Sequence, residues 1–128
     1  MIEVLIALGI FTVGTLVIIN LFPKGLRLGR ESKEISVATG LAQERIEEII
    51  SLNYDDIPAG VIDSKTRINP NPQNPYYIYQ REAKAAYVDS NLNESITDTE
   101  LKKITVTVYW IENAKEKTVQ LIRLLNKI

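Results

Sequence analysis

The stretch IEVLIALGIFTVGTLVIINLF, residues 2–22, decides the architecture. It carries one charge, Glu3, and every other charged residue stands at or beyond Lys24. Rising ~1.5 Å per residue, a helix of about 20 apolar residues matches a hydrocarbon core of ~30 Å. Only a helix satisfies the backbone of such a segment inside lipid. A cleaved secretory signal would show a basic start, a shorter apolar run and small residues at its end. Here Phe22-Pro23-Lys24 makes a poor cleavage site, and a buried core helix of this length would be out of proportion to a small domain. The expectation is a single membrane-inserted helix joined to a polar domain.

The rest of the composition narrows the chemistry. With 128 residues the chain has room for one domain. Fifteen basic residues against 16 acidic ones leave a net charge of −1, so no basic field steers nucleic acid and none is expected as a partner. There is no cysteine and no histidine, which removes disulfides, thiol nucleophiles and the usual triads and metal-ligand sets. The expectation is therefore no catalytic residue, no metal and no cofactor: not an enzyme.

Beyond the apolar stretch, residues 26–52 read as helix. Ala38, Leu41, Ala42, Arg45, Ile46, Ile49 and Ile50 recur at three- and four-residue intervals, while Glu31, Lys33, Glu34, Glu44, Glu47 and Glu48 lie mostly off that stripe. A helix unbroken from residue 2 to residue 52 would be roughly 75 Å long. Pro23 and the glycines are its weak points, and Gly9 and Gly14 are candidate positions for close helix packing or ordinary membrane-helix glycines.

Asn53, Asp55, Asp56, Pro58 and Gly60 stop the helix, and Asn69-Pro70-Asn71-Pro72-Gln73-Asn74-Pro75 forbids regular ladders, so residues 53–75 read as loop. Asp55, Asp56 and Asp63 suit turns and caps better than calcium, since their spacing matches no EF-hand-type loop. Three strands are expected. Residues 76–87 place Tyr77 and Tyr79 on one face and Ile78 on the other; residues 104–110 alternate Ile104, Val106, Val108 and Trp110 with Thr105, Thr107 and Tyr109. Residues 118–125 read as strand or helix, after a polar turn at 112–117. Residues 88–100 read as a polar connection containing a glycosylation-type triplet, Asn93-Glu94-Ser95. The Tyr/Arg cluster at 76–81 fits a packed sheet face better than a nucleic-acid stacking platform.

Glu3 has two readings. As a first-turn residue near the interface it complements the helix dipole. As an ionised group in an apolar segment it calls for a cationic partner within the membrane. Orientation adds a conflict: Lys24, Arg27 and Arg30 follow the apolar run, and the positive-inside bias alone would leave the following domain in the cytoplasm.

Met1-Ile2-Glu3-Val4-Leu5-Ile6-Ala7-Leu8 resembles the start of the type IV prepilin family, in which a short basic leader and a glycine cleavage site precede Phe-Thr-(Leu/Met)-Ile-Glu-Val-Leu-Ile-Ala. Met1 fills the Leu/Met slot, and the leader, glycine and Phe-Thr would lie upstream of an internally placed start. A basic leader held in the cytoplasm also resolves the orientation conflict. Asn20-Leu21-Phe22-Pro23-Lys24-Gly25-Leu26-Arg27 and Ala38-Thr39-Gly40-Leu41-Ala42-Gln43-Glu44-Arg45-Ile46-Glu47 are similar to minor pilins and minor pseudopilins of the PilV and GspI kind. Leu101-Lys102-Lys103-Ile104-Thr105-Val106-Thr107-Val108-Tyr109-Trp110 resembles their central strand.

The resemblance implies an α+β pilin fold: a membrane and filament-core helix at 1–22, its amphipathic continuation at 23–52, and a β-sheet head at 53–128. It implies a subunit polymerising into a type IV pilus or type II secretion pseudopilus, with Glu3 meeting a neighbour's α-ammonium. The implied partners are other pilin or pseudopilin subunits, prepilin peptidase, an inner-membrane assembly platform and membrane lipid. The implied location is the inner membrane, single-pass, with a periplasmic or extracellular C-terminal domain. The alternative is a single-span, membrane-anchored periplasmic binding module outside any filament.

Overall fold

A computed structural model describes residues 1–128. The fold is α+β: one long N-terminal helix, α1 (Ile2–Ile50), packed on a five-stranded antiparallel sheet. By compactness the chain divides into Met1–Ile35 and Ser36–Ile128.

In the first unit the helix passes through Pro23. A proline there removes one backbone hydrogen bond and normally costs ~3 kcal/mol. Three polar side chains turn back onto the helix. Thr12 Oγ1 donates to the Leu8 carbonyl, Thr15 Oγ1 to Phe11 at 2.8 Å, and Asn20 Nδ2 to Leu16 at 2.8 Å. Such back-bonding leaves the helix with an almost wholly apolar exterior.

The second unit holds the core. Its sheet comprises β1 (Gly60–Arg67), β2 (Gln80–Val88), β3 (Glu94–Ser95), β4 (Leu101–Glu112) and β5 (Lys115–Asn126), in the order β1-β2-β4-β5 with β3 also paired to β2. The alternation in β4 sends Lys102, Ile104, Val106, Val108 and Trp110 to one face, all buried. That face meets Ala38, Leu41, Ala42, Ile46 and Ile49, the apolar stripe of the helix. Ala38, Ala42, Ala83 and Ala85 are at most 2 % exposed, and these short side chains let helix and sheet approach closely. Removing Ile104, Val106 and Val108 from water contributes roughly 1.5–3 kcal/mol each.

Several boundaries differ from the sequence reading. The helix ends at Ile50 rather than residue 52, with the Ser51 amide bonded to the Glu47 carbonyl at 3.1 Å and Leu52 to Ile49 at 3.1 Å. The stretch expected as loop, 53–75, contains a 3₁₀ turn at Tyr54–Asp56 and the whole of β1. β1 is an edge strand with register shifts between Val61 and Asp63 and between Asp63 and Thr66, so it lacks the period-two pattern that would announce it. Residues 76–78 are turn and Tyr79 precedes the strand: the Tyr76 amide bonds Asn74 Oδ1 at 2.8 Å and Tyr79 N bonds the Tyr76 carbonyl at 3.1 Å. The expected connection at 88–100 includes β3. The polar turn expected at 112–117 shrinks to Asn113-Ala114, both at positive φ (50° and 59°), the two-residue turn whose twist suits a hairpin. The last segment is strand, longer than expected.

Candidate assembly surface

The residues singled out from the sequence lie on the first third of α1. Glu3 stands in the first turn, exposed, and forms no ion pair with any cation of the chain. Around and beyond it Ile2, Val4, Leu5, Leu8, Ile10, Phe11, Ile18 and Phe22 are each more than 60 % exposed. None of residues 2–22 is buried. By length and composition this helix can cross a membrane. An isolated apolar cylinder is unstable in water, because each fully exposed Leu, Ile or Phe forgoes about 1.5–3 kcal/mol of burial. Cover by lipid or by another apolar surface would recover that burial.

Gly9 and Gly14 are open: a methyl group at either would meet nothing within 4 Å. They are five residues apart, which on a helix of ~100° per residue places them about 140° from each other. They therefore form no single small-residue seam. Glu3 and Gly14, eleven residues apart, fall within about 20° on one face. Packing at Gly14 would align with the carboxylate, and packing at Gly9 would engage a different neighbour.

Elsewhere the polar groups are used internally. Asp55 pairs with Lys127 at 2.8 Å, Asp56 accepts from Asn53 Nδ2 at 3.1 Å, and Asp63 takes a two-point contact from Arg45 at 2.6 and 3.0 Å. The three aspartates thus go to three separate partners. The Asp63 contact, reinforced by Glu48 at 2.7 Å, holds the Arg45 guanidinium above its ordinary pKa. Of the Tyr/Arg cluster, Tyr79 is buried with its ring centre 6.0 Å from that of Trp110, and Arg81 reaches the Leu41 carbonyl at 3.2 Å. Tyr77 is stacked by Arg67 at 4.3 Å. Asn93, of the glycosylation-type triplet, is exposed and turned onto Asp89.

The outer face of the sheet carries a cross-strand polar lattice. Glu82 pairs with Lys84 at 3.0 Å and accepts from the Tyr109 hydroxyl at 2.9 Å, which lowers its pKa. Lys65 bridges Glu116 at 2.9 Å and lies over the Tyr109 ring at 4.0 Å. A cavity of about 170 Å³ opens beside these groups, bounded by Arg67, Tyr77, Gln80, Tyr109 and Ile111. Sequence reasoning missed this lattice, since Lys65 lies in β1 and β1 was read as loop. Comparison with family models, with characterised proteins and with solved structures returned no match.

Proposed function

We propose that this chain is a structural subunit of the type IV pilin kind, a minor pilin or minor pseudopilin that polymerises through α1 into a pilus or secretion pseudopilus. The observation that carries the reading is Glu3: an exposed carboxylate without an ion-pair partner, at the head of a helix whose apolar residues from Ile2 to Phe22 are all exposed. A solitary carboxylate in lipid is costly. A bundle of like helices supplies both the apolar cover and a cation, the α-ammonium of a processed neighbour.

In this reading the subunit rests in the inner membrane by its single helix, with the sheet domain on the periplasmic side. Prepilin peptidase processes it, and an inner-membrane platform moves it from lipid into the filament. The α-helical anchor exchanges one apolar environment for another, so extraction costs little hydrophobic energy. The polar side chains used internally and the absence of His and Cys favour assembly over catalysis as its role.

Glu3→Gln tests the pairing. If the carboxylate meets a neighbour's ammonium at low dielectric, the variant loses several kcal/mol at that contact. It then inserts and is processed normally but drops out of sheared filaments. If Glu3 only complements the helix dipole, the loss stays within about 1 kcal/mol and incorporation is unchanged. Normal incorporation would remove the pairing role and leave Glu3 as a complement to the helix dipole.

A further inference from the structure

We infer that the hollow between the second half of α1 and the edge strand β1 is an oxyanion-binding site, which takes the negatively charged group of a small ligand. It lies wholly within Ser36–Ile128 and does not depend on filament membership. Its volume is about 420 Å³, of the size of ligand pockets, ~300–1,000 Å³. Three arginines, Arg45, Arg67 and Arg81, border it against one acidic residue, Asp63. That carboxylate is already engaged. Arg45 meets both its oxygens, at 2.6 and 3.0 Å, and donates to Glu48 at 2.7 Å as well.

The irregular register of β1 sets this lining. Asp63 stands opposite Ala83 and Thr66 opposite Arg81, so three steps along β1 match two along β2. In a regular strand, residues three apart face opposite sides of the sheet. The extra residue returns Asp63 and Thr66 to one face, the face of Ala83 and Arg81. Ala83 is buried in the core with the helix stripe, which marks that face as the one packed on α1. Lys65 goes to the other side, where it meets Glu116 and the Tyr109 ring. The bulge thus sets a hydroxyl beside Arg81 and keeps the lysine out of the hollow.

Arg81 is the anchor. It is half-buried, and its guanidinium donates to the Leu41 carbonyl at 3.2 Å, a neutral acceptor on α1. It forms no ion pair with any carboxylate of the chain. Neither does Arg67, which donates to the Tyr77 carbonyl at 2.8 Å and lies over the Tyr77 ring. Two cations at this hollow therefore lack a carboxylate. A guanidinium drawn from water without a counterion is under-compensated, and its fork of N–H groups matches a carboxylate or a phosphate. The Leu41 contact uses one nitrogen of Arg81 and leaves further donors, and the Thr66 hydroxyl across the strand pair adds another.

Calorimetric titration of the full-length chain in nonionic detergent tests the site. Inorganic phosphate and citrate are added separately at matched ionic strength, and the tighter of the two names the preferred oxyanion. At least one should bind one-to-one. Arg81→Gln keeps a donor for the Leu41 carbonyl but removes the guanidinium, and should weaken binding at least about tenfold, the loss of one charge-assisted hydrogen bond. Thr66→Val removes only a hydroxyl at an exposed strand position and should weaken binding about three- to tenfold. It keeps the test decisive if Arg81→Gln fails to fold, which far-ultraviolet circular dichroism reports. Lys65→Gln removes a positive charge from the outer face of the same strand and should change affinity by less than about twofold. Heat of binding from neither anion would overturn the site. So would binding that both Arg81→Gln and Thr66→Val leave intact, or that Lys65→Gln weakens as much as they do, since either result means diffuse charge attraction only.

Discussion

The ammonium of Lys102 is held against Tyr54 twice over: Nζ donates to the Tyr54 carbonyl at 2.6 Å and lies 4.0 Å from the centre of its ring. The same nitrogen donates to the Ile57 carbonyl at 2.7 Å, and the side chain is only 2 % exposed. β4 thereby grips the turn that follows α1, and fixes where the chain leaves the helix and returns to the sheet. Tyr54 in turn donates its hydroxyl to Asp98 at 2.8 Å, which ties in the connection before β4.

Lys102→Met keeps the length of the side chain but leaves the Ile57 carbonyl without its donor and the Tyr54 carbonyl with only the Ile57 amide at 3.4 Å. The orphaned Ile57 carbonyl costs ~1–3 kcal/mol and the weakened contact at the Tyr54 carbonyl adds to it, partly offset because no ammonium need be buried. The expected loss is about 2–4 kcal/mol. Urea unfolding in mild detergent, followed by the emission of Trp110, the only tryptophan and 3 % exposed, should show a lower midpoint at unchanged slope. An unchanged midpoint would mean that water replaces the ammonium without loss.

Ala114 holds a positive φ of 59° in the β4–β5 turn, a conformation that costs an L-residue with a Cβ roughly 1–2 kcal/mol. Ala114→Gly relieves that strain but adds freedom to the unfolded chain, for a net stabilisation of up to about 1 kcal/mol. Ala114→Val should destabilise by a similar or larger amount. Thermal melts of the three proteins, ranked Gly above Ala above Val, check the assignment.

Acid should weaken the sheet domain through identifiable carboxylates. The Tyr54 hydroxyl, followed by the Glu100 amide, holds Asp98 below the ordinary carboxylate range, and the Lys84 ammonium with the Tyr109 hydroxyl does the same for Glu82. A depressed folded pKa gives stability that is present above the unfolded value, about 4, and lost as pH falls through the folded one. Stability should hold from pH 7 to about 5 and fall below about 4, with a shallower fall in Asp98→Asn. Burial and Asp98 push the Tyr54 hydroxyl upward, so its contribution is full below about pH 10 and is lost at higher pH as the unfolded tyrosine ionises first. An Asp98→Asn acid profile identical to that of the parent would remove this residue from the account.

Much of the fold was legible because it rests on local periodicity. The apolar run of residues 2–22, the stripe from Ala38 to Ile49 and the alternation from Ile104 to Trp110 each declare their element without outside help. β1 was not legible. Only Val61 and Ile62 among its eight residues are large and apolar, its register slips twice, and pairing to β2, not pattern, makes it a strand. Gly60, at φ 112°, looked like loop punctuation and instead begins that strand. Lys102 was hidden for a related reason: its partners are main-chain carbonyls 48 and 45 residues away, and backbone acceptors leave no mark in a sequence. Of the assembly surface, the oddity of Glu3 was plain from sequence. The roughly 140° that separates Gly9 from Gly14 follows from helix geometry alone once the helix is known to be unbroken.

Filament membership is tested most directly by locating the chain itself. Cells producing the protein from its native gene cluster are sheared, and filaments and membranes are collected separately and probed for this chain. The account predicts that it appears in the filament fraction at a fixed ratio to the other subunits, while a membrane pool remains as precursor. A chain confined to the membrane fraction, while filaments of normal yield are present and lack it, would contradict the account.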